Sequence, residues 1–452
     1  MSSGTTPTVI PPGGRELTKV AFAASIGTTI DWYDFLLSGV CAAVVYPAVF
    51  FNFGGAGAAL ALGIATWGLG FLARPVGAFM FGQWGDRRGR RSTLVLTLMT
   101  MGVGTVGISL TPSFATIGFL APALVIIFRL FQGVGMGGEW GGAATFISEH
   151  AGRSKWKTLW ASGMQAAVVI GFGIAVWLLT TIASFTGGWT GAAFLSWGWR
   201  IGFWIGAIVI LTGAIARYYT MESPLFTDAQ KRKTIKSVPA AEAWKHYALR
   251  MIKLGLAWSW VIMGFSFMWV PYVLPYAGAV GISGTGLYYA ELASCAAMAV
   301  TAFLGAYIAD KWVRRKVVMA FSAISSAIIA YPMFLLIQTG NDTMAILGMV
   351  LFTGFMNLGY GCVSSLYAEQ FPTEYRQSGA GQGYNLGALI DGSCTTFFIP
   401  WVLATFGLLA AWPYVLVVYL IAAIIAGVVA LSLTEAPKRV RQAIPAPLPS
   451  AK

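Results

Sequence analysis

Gly82-Gln-Trp-Gly-Asp86-Arg-Arg-Gly89-Arg-Arg91 closes one long apolar run and opens the next. Its four arginines and one acid stand between stretches almost free of charge, so they read as a short polar loop joining two apolar helices. Nearly half the chain later, Ala306-Tyr-Ile-Ala-Asp310-Lys-Trp-Val313-Arg-Arg315 repeats the pattern after another apolar run. Two further pairs recur at a similar offset: Glu149 with Glu369, and Glu222-Ser-Pro224 with Glu435-Ala-Pro437. One such pair could be chance. Three in the same order point to a duplicated unit.

The composition says where that unit sits. Of 452 residues, 57% are hydrophobic and 10% charged, with a mean hydropathy of +0.72. A soluble chain carries about 25% charged residues. A bilayer span needs about 20 apolar residues, and twelve such runs are present, near 20–50, 57–81, 92–112, 115–146, 158–185, 195–219, 251–277, 285–309, 316–338, 342–367, 378–406 and 411–434. The net charge of +13 does not indicate a nucleic-acid partner, because Lys and Arg cluster in alternate loops between these runs. The basic loops hold Arg87 to Arg91, Lys155 and Lys157, Lys231 to Lys245, Lys311 to Lys316, and Arg376. The other loops have almost none, so the basic set is read as cytoplasmic, together with both termini.

This gives an all-α membrane protein in two six-helix halves, 20–220 and 251–434. A polar, disordered N-terminus (1–19), a cytoplasmic linker (221–250) and a cytoplasmic tail (435–452) complete it. The first apolar run is too long for a signal peptide and carries Asp31 and Asp34. Within the linker, Ala241, Trp244 and Ala248 fall at helical spacing and suggest a surface helix. The four cysteines lie in apolar runs without a CxxC, and the two histidines lack metal-ligand spacing, so no metal or cofactor is expected.

Gly82 to Arg91 resembles the loop signature G-x-x-x-D-R-x-G-R-R of the major facilitator superfamily; the copy at 306–315 is degraded. Gly27-Thr-Thr-Ile-Asp31-Trp-Tyr-Asp34-Phe35, Arg74-Pro75, Arg129-Leu-Phe-Gln132-Gly133, Gly137-Gly-Glu139-Trp-Gly-Gly142 and Phe194-Leu-Ser-Trp-Gly-Trp199-Arg200 are similar to motifs of its metabolite:proton symporter family. One departure is Asp31, where that family usually has Glu. The resemblance implies two pseudo-symmetric halves, alternating access, and a proton-coupling pair of a first-span acid with a fourth-span arginine. It also implies a conformational latch of Gly82, Asp86, Arg87, Gly89, Arg90, Arg91, Glu149 and Asp310 that holds the cytoplasmic side shut.

Charges inside spans are the residues' own signal. One at a helix centre costs about 2.5–3.5 kcal/mol on the lenient scale. Counted at about 1.5 Å per residue from the basic loops, Asp31, Asp34, Arg74 and Asp391 lie near the midplane. Arg129 lies somewhat outward. Arg129, Gly133, Gly137 and Gly141 repeat every four residues, a stripe that admits a close neighbouring helix. The proton-coupling candidates are therefore Asp31, Asp34 and Arg129, with Asp34 the better depth match. Candidate substrate contacts are Arg74, Arg129, Gln132, Gln165, Tyr33, Gln382, Tyr384, Asn385 and Asp391; Glu139 is a further intramembrane acid. Each has a structural alternative. Buried ion pairs can be purely architectural, Arg74 beside Pro75 could tie down freed carbonyls, and amides could simply bond between helices. Gly133-Val-Gly135-Met-Gly-Gly138 fits a dinucleotide fingerprint only by letter, since no strand precedes it.

The expected function is proton-coupled import of a small organic acid, shikimate-like or another carboxylate, by alternating access. The alternatives are symport of a zwitterion such as proline or betaine, and drug/proton antiport. No catalytic grouping suggests an enzyme. The partners expected are a small solute, protons and the lipid bilayer, with no nucleic acid. A monomer in a bacterial cytoplasmic membrane completes the expectation.

Overall fold

The computed structural model describes residues 14–53, 55–151, 154–218, 239–372 and 375–435. Among the described residues, twelve helices are long and apolar enough to cross a membrane. They are α1 (Ala24–Val49), α2 (Ala56–Arg88), α3 (Ser92–Leu110), α4 (Leu120–His150), α5 (Lys157–Phe185), α6 (Phe194–Ile215), α7 (Pro239–Val280), α8 (Gly284–Lys311), α9 (Arg315–Gln338), α10 (Asp342–Ala368), α11 (Arg376–Phe406) and α12 (Trp412–Leu431). No strand occurs among the described residues. Large apolar side chains such as Phe119, Phe185 and Val428 stand exposed on the outside of the bundle, as lipid-facing positions do.

Glycines set how closely the helices pack. A Cβ on Gly133 or Gly137 would lie 2.1 Å from Gly70 O or 2.0 Å from Arg74 O, so the α4 stripe seats directly on the α2 backbone. One on Gly141 would instead lie 2.8 Å from Gln377 O and the Gly381 Cα of α11. The same stripe thus joins α4 to its own half and to the other one.

Two sequence expectations need correction. A helix does occupy the second part of the expected linker, Pro239–Ala257, and it forms the first part of α7. Its buried face is Ala240, Ala243, Met251 and Leu254, not the stripe through Ala241 and Ala248. This helix bends where Tyr247 leaves helical geometry (φ −130°, ψ 16°). The fourth apolar run is also divided: a short helix, Phe114–Ile117, ends at Gly118 in a positive-φ turn (58°) before α4 begins. The N-terminal and C-terminal tails, 1–13 and 436–452, lie outside the described residues, as do Glu222, Pro224 and most of the linker.

Candidate functional site

In the N-terminal half, buried polar side chains converge from three helices. Asp34 on α1 accepts through Oδ2 from Thr105 Oγ1 (2.6 Å) on α3 and from Gln132 Nε2 (2.9 Å) on α4. Gln132 Oε1 in turn accepts from Arg129 Nη1 (2.8 Å) and Ser38 Oγ (3.1 Å). Asp34, Gln132 and Arg129 are all fully buried. The expected pairing of Asp34 with Arg129 is therefore indirect: they form no ion pair with each other, and Gln132 stands between them. Gln132 spends both ends of its amide on the two charges. Arg129 also lies over the Phe35 ring, 3.9 Å from its centre, and Gly70 leaves room for its guanidinium. Asp31 is buried on the same helix but takes no part in this chain of bonds.

Thr105 can respond to the charge on Asp34. Its hydroxyl has one proton and two acceptors within reach, Asp34 Oδ2 and Met101 O (3.0 Å). When Asp34 is ionised, the hydroxyl donates to it. When Asp34 carries a proton, the carboxyl can donate to Thr105, whose own proton then turns to Met101 O.

Arg74 forms a second centre between the halves. Its Nε donates to Asn385 Oδ1 (2.9 Å) on α11, and Asn385 is itself fixed by Nδ2 bonds to Gly137 O (2.9 Å) and Gly381 O (2.8 Å). Trp32, Phe71 and Tyr384 surround the guanidinium at 5.4, 5.7 and 5.5 Å from their ring centres. Nη1 has no hydrogen-bond partner. Arg74 thus binds an opposing helix rather than freed carbonyls near Pro75. Tyr384 is clamped between Trp140 of α4 and Trp258 of α7, each stacked at 3.8 Å, and its hydroxyl meets that of Tyr360 at 2.7 Å. Further along α11, Asp391 is fully buried and neither carboxylate oxygen has a hydrogen-bond partner. Gln165 on α5 is likewise buried with its amide unpartnered.

Two candidates leave this group. Tyr33 donates its hydroxyl to Gly202 O (2.8 Å) of α6, a bond within the N-terminal half. Gln382 accepts from Trp244 Nε1 of the α7 extension, near the basic end. Gln382 Nε2 is buried without a hydrogen-bond partner. Glu139 is buried on α4.

At the basic end the two halves interlock by matching contacts. Asp86, at the end of α2, accepts from Ser378 N (3.1 Å) and Oγ (2.5 Å) in the first turn of α11. Asp310, at the end of α8, accepts from Thr158 N (3.3 Å) and Leu159 N (2.9 Å) in the first turn of α5. Each acid satisfies amide groups that a helix start leaves open and meets the positive end of its dipole. Glu149, in the last turn of α4, pairs with Arg376 at the start of α11 (3.3 Å). Glu369, after α10, pairs with Lys157 at the start of α5 (2.8 Å) and with Arg315. Burial alone would raise the Glu369 carboxyl, but these two cations outweigh it and hold it down at about 2. Glu149 meets Arg376; the side chains of the expected latch arginines Arg90 and Arg91 lie outside the described ones. Arg87 is exposed, and Gly82 and Gly89 are buried beside it. A Cβ on Gly82 would come 3.3 Å from Ser378, so α11 closes onto α2 there.

The sequence profile of the Major Facilitator Superfamily matches residues 22–390. The chain is 34% identical over 411 residues to the inner membrane metabolite transport protein YhjE of Escherichia coli (strain K12), covering 88% of this chain and 90% of that one. It is 33% identical to the shikimate transporter of the same strain (84% and 86%) and 28% identical to its proline/betaine transporter (93% and 84%). Among solved structures, the proton:xylose symporter XylE bound to 6-bromo-6-deoxy-D-glucose superposes with a TM-score of 0.72 at 16% identity, covering 92% of this chain and 95% of that one. That likeness concerns the fold.

Proposed function

The chain belongs to the major facilitator superfamily, a multi-pass membrane transporter and not an enzyme, and we propose that it imports a small organic acid together with protons by alternating access. The observation that carries this reading is the Asp34–Gln132–Arg129 chain, in which one amide links a buried acid to a buried cation. Proton coupling is also in keeping with the symporter character of the XylE neighbour, and a carboxylate solute with the shikimate relative.

A proton reaching Asp34 cancels the charge that Gln132 and Thr105 serve. Thr105 turns towards Met101 O, the Gln132 amide is released, and Arg129 loses its link to the acid. Arg74, with Nε held by Asn385 and Nη1 unpartnered, offers an anionic solute a charge-assisted bond between the halves. The matching caps at the basic end then part and the site opens towards the other side. Positive-inside asymmetry assigns the basic end to the cytoplasm. Each pH unit across the membrane supplies about 1.36 kcal/mol per proton.

A second reading, symport of a zwitterion, is favoured by one observation. Asp391 is buried without a hydrogen-bond partner on the helix that also presents Asn385 to Arg74. Opposite charges, Arg74 on α2 and Asp391 on α11, suit a solute that carries both, and the proline/betaine relative is in keeping with that.

Proteoliposomes with a trapped pH dye test both readings. Carboxylates and betaines are added at two external pH values and proton entry is recorded. Carboxylate-driven entry that is abolished in Asp34→Asn and Arg129→Ala supports the first reading. Entry driven only by betaines, and abolished in Asp391→Asn, supports the second. Normal coupled uptake in both Asp34→Asn and Arg129→Ala refutes the coupling chain.

A further inference from the structure

Away from the central site, a cavity of about 310 Å³ opens at the basic end between the α7 extension and the segment that follows α12. His246, Arg250 and Lys253 line it from α7, with Gln370 behind them and Ser432 and Thr434 opposite. Arg250 and Lys253 follow helical spacing on one face, and His246 reaches the cavity from before the bend at Tyr247. Among the described residues, the lining holds two permanent cations, one histidine and no carboxylate. Its frame is built: Arg250 Nη1 donates to Gln370 O (2.5 Å), and Gln370 Nε2 donates to Thr434 O (2.8 Å). The Arg250 guanidinium also lies over Tyr247, 5.3 Å from the ring centre. Lys253 makes no hydrogen bond and no ion pair with any described residue, so its ammonium is available.

A cationic pocket alone would suit any phosphate. The flanks narrow the choice. Leu249 and Ile252 on α7 are 68% and 44% exposed, and Val428 and Leu431 on α12 are 64% and 46% exposed. A phosphate from water has no use for those four side chains, whereas acyl chains lie against them. We propose that this pocket binds the phosphate headgroup of an anionic phospholipid from the leaflet at the basic end, with Arg250 and Lys253 as the anion contacts. A basic pocket between helices at a membrane surface is the setting in which such headgroups are held. Occupancy would tie α7 to α12 within the C-terminal half, away from the latches.

Native mass spectrometry of the purified full-length protein, titrated with phosphatidylglycerol or phosphatidylcholine, tests this. The expected result is one phosphatidylglycerol bound at least tenfold more tightly than phosphatidylcholine. One cation near such a surface is worth about fivefold in affinity, so Lys253→Gln should weaken phosphatidylglycerol about fivefold and leave phosphatidylcholine unchanged. Lys245→Gln, an exposed position outside the lining, should change neither. Lys253 has no bonds to lose, so the variant should fold; an unchanged melting temperature checks it. Equal affinity for the two lipids, or no loss in Lys253→Gln, overturns the proposal. Displacement of phosphatidylglycerol by inorganic phosphate or by deacylated glycerophosphoglycerol at equal concentration also overturns it, because the pocket would then take a soluble anion.

Discussion

Replacing Asp86 with Asn keeps an oxygen acceptor and removes the charge. Asp86 is only 7% exposed and receives two bonds from Ser378. A hydrogen bond to an ionised group is worth about 1.5–3 kcal/mol net, against about 0.5–1.5 for a neutral pair. Two bonds therefore lose about 2 kcal/mol, which shifts the ratio of closed to open basic end about thirtyfold. Asp310→Asn should weaken the matching cap on α5 in the same way. The two caps share no partner, so the double variant should lose about 4 kcal/mol, up to the point where the open state saturates. Gln377 reports on this, since it is 1% exposed and its amide packs against Gly85 and Gly142 across the halves. Gln377→Cys in lipid nanodiscs should react with a polar maleimide in proportion to the open fraction, about thirtyfold faster in Asp86→Asn. The unsubstituted protein gives the background, as Cys41, Cys295 and Cys362 are buried. Unchanged labelling in both single variants would refute the reasoning, because the caps would then contribute nothing to closure.

Three further outcomes follow from the same geometry. Gly137→Ala brings a Cβ to 2.0 Å from Arg74 O, so α4 and α2 must separate; the melting temperature should fall by an amount equal to about 1–3 kcal/mol or more, while Gly284→Ala, which meets open space, should leave it unchanged. Arg74→Lys keeps the charge but loses the Nε bond to Asn385 and the flat ring contacts, so uptake should fall at least tenfold, seen mainly as a higher KM in the liposome assay. Glu369 titrates near 2, below the ordinary carboxylate range near 4.5, so the stability it confers is complete above about 4.5 and is lost as pH falls from there to 2. Glu369→Gln should flatten that part of the melting-temperature profile.

The helices and their duplication were legible because lipid demands long apolar runs and marks every charge within them. Asp34, Arg129, Arg74 and Asn385 stood out for that reason. How they connect did not. Thr105 looks like Thr100 in the sequence, yet one hydroxyl reaches Asp34 while the other only bonds back to Leu96 O. Asp86 was marked as a latch residue by the loop signature, but its partner Ser378 lies in the other half and carries no signal of its own. The partners of Tyr33 and Gln382 were not legible, because a polar group in an apolar run looks the same whether it faces a solute or a neighbouring carbonyl or indole. The α7 extension was misread by one residue because Ala240 and Ala241 are interchangeable in a pattern, and only packing selects the buried one.

The matching of the caps has a consequence for ancestry. Asp86 with the start of α11 and Asp310 with the start of α5 are one contact made twice, each half lending its acid to the other. That is the relation between identical surfaces across a two-fold axis, in which residue i meets j and j meets i. A lone six-helix unit paired with its own copy in the same orientation would form both caps from a single set of residues. Any improvement in that set would have counted twice in such a pair. Joining the two copies in one chain freed each to diverge, and Gly82 against Ala306 and Gly89 against Val313 mark how far the two loops have since moved apart.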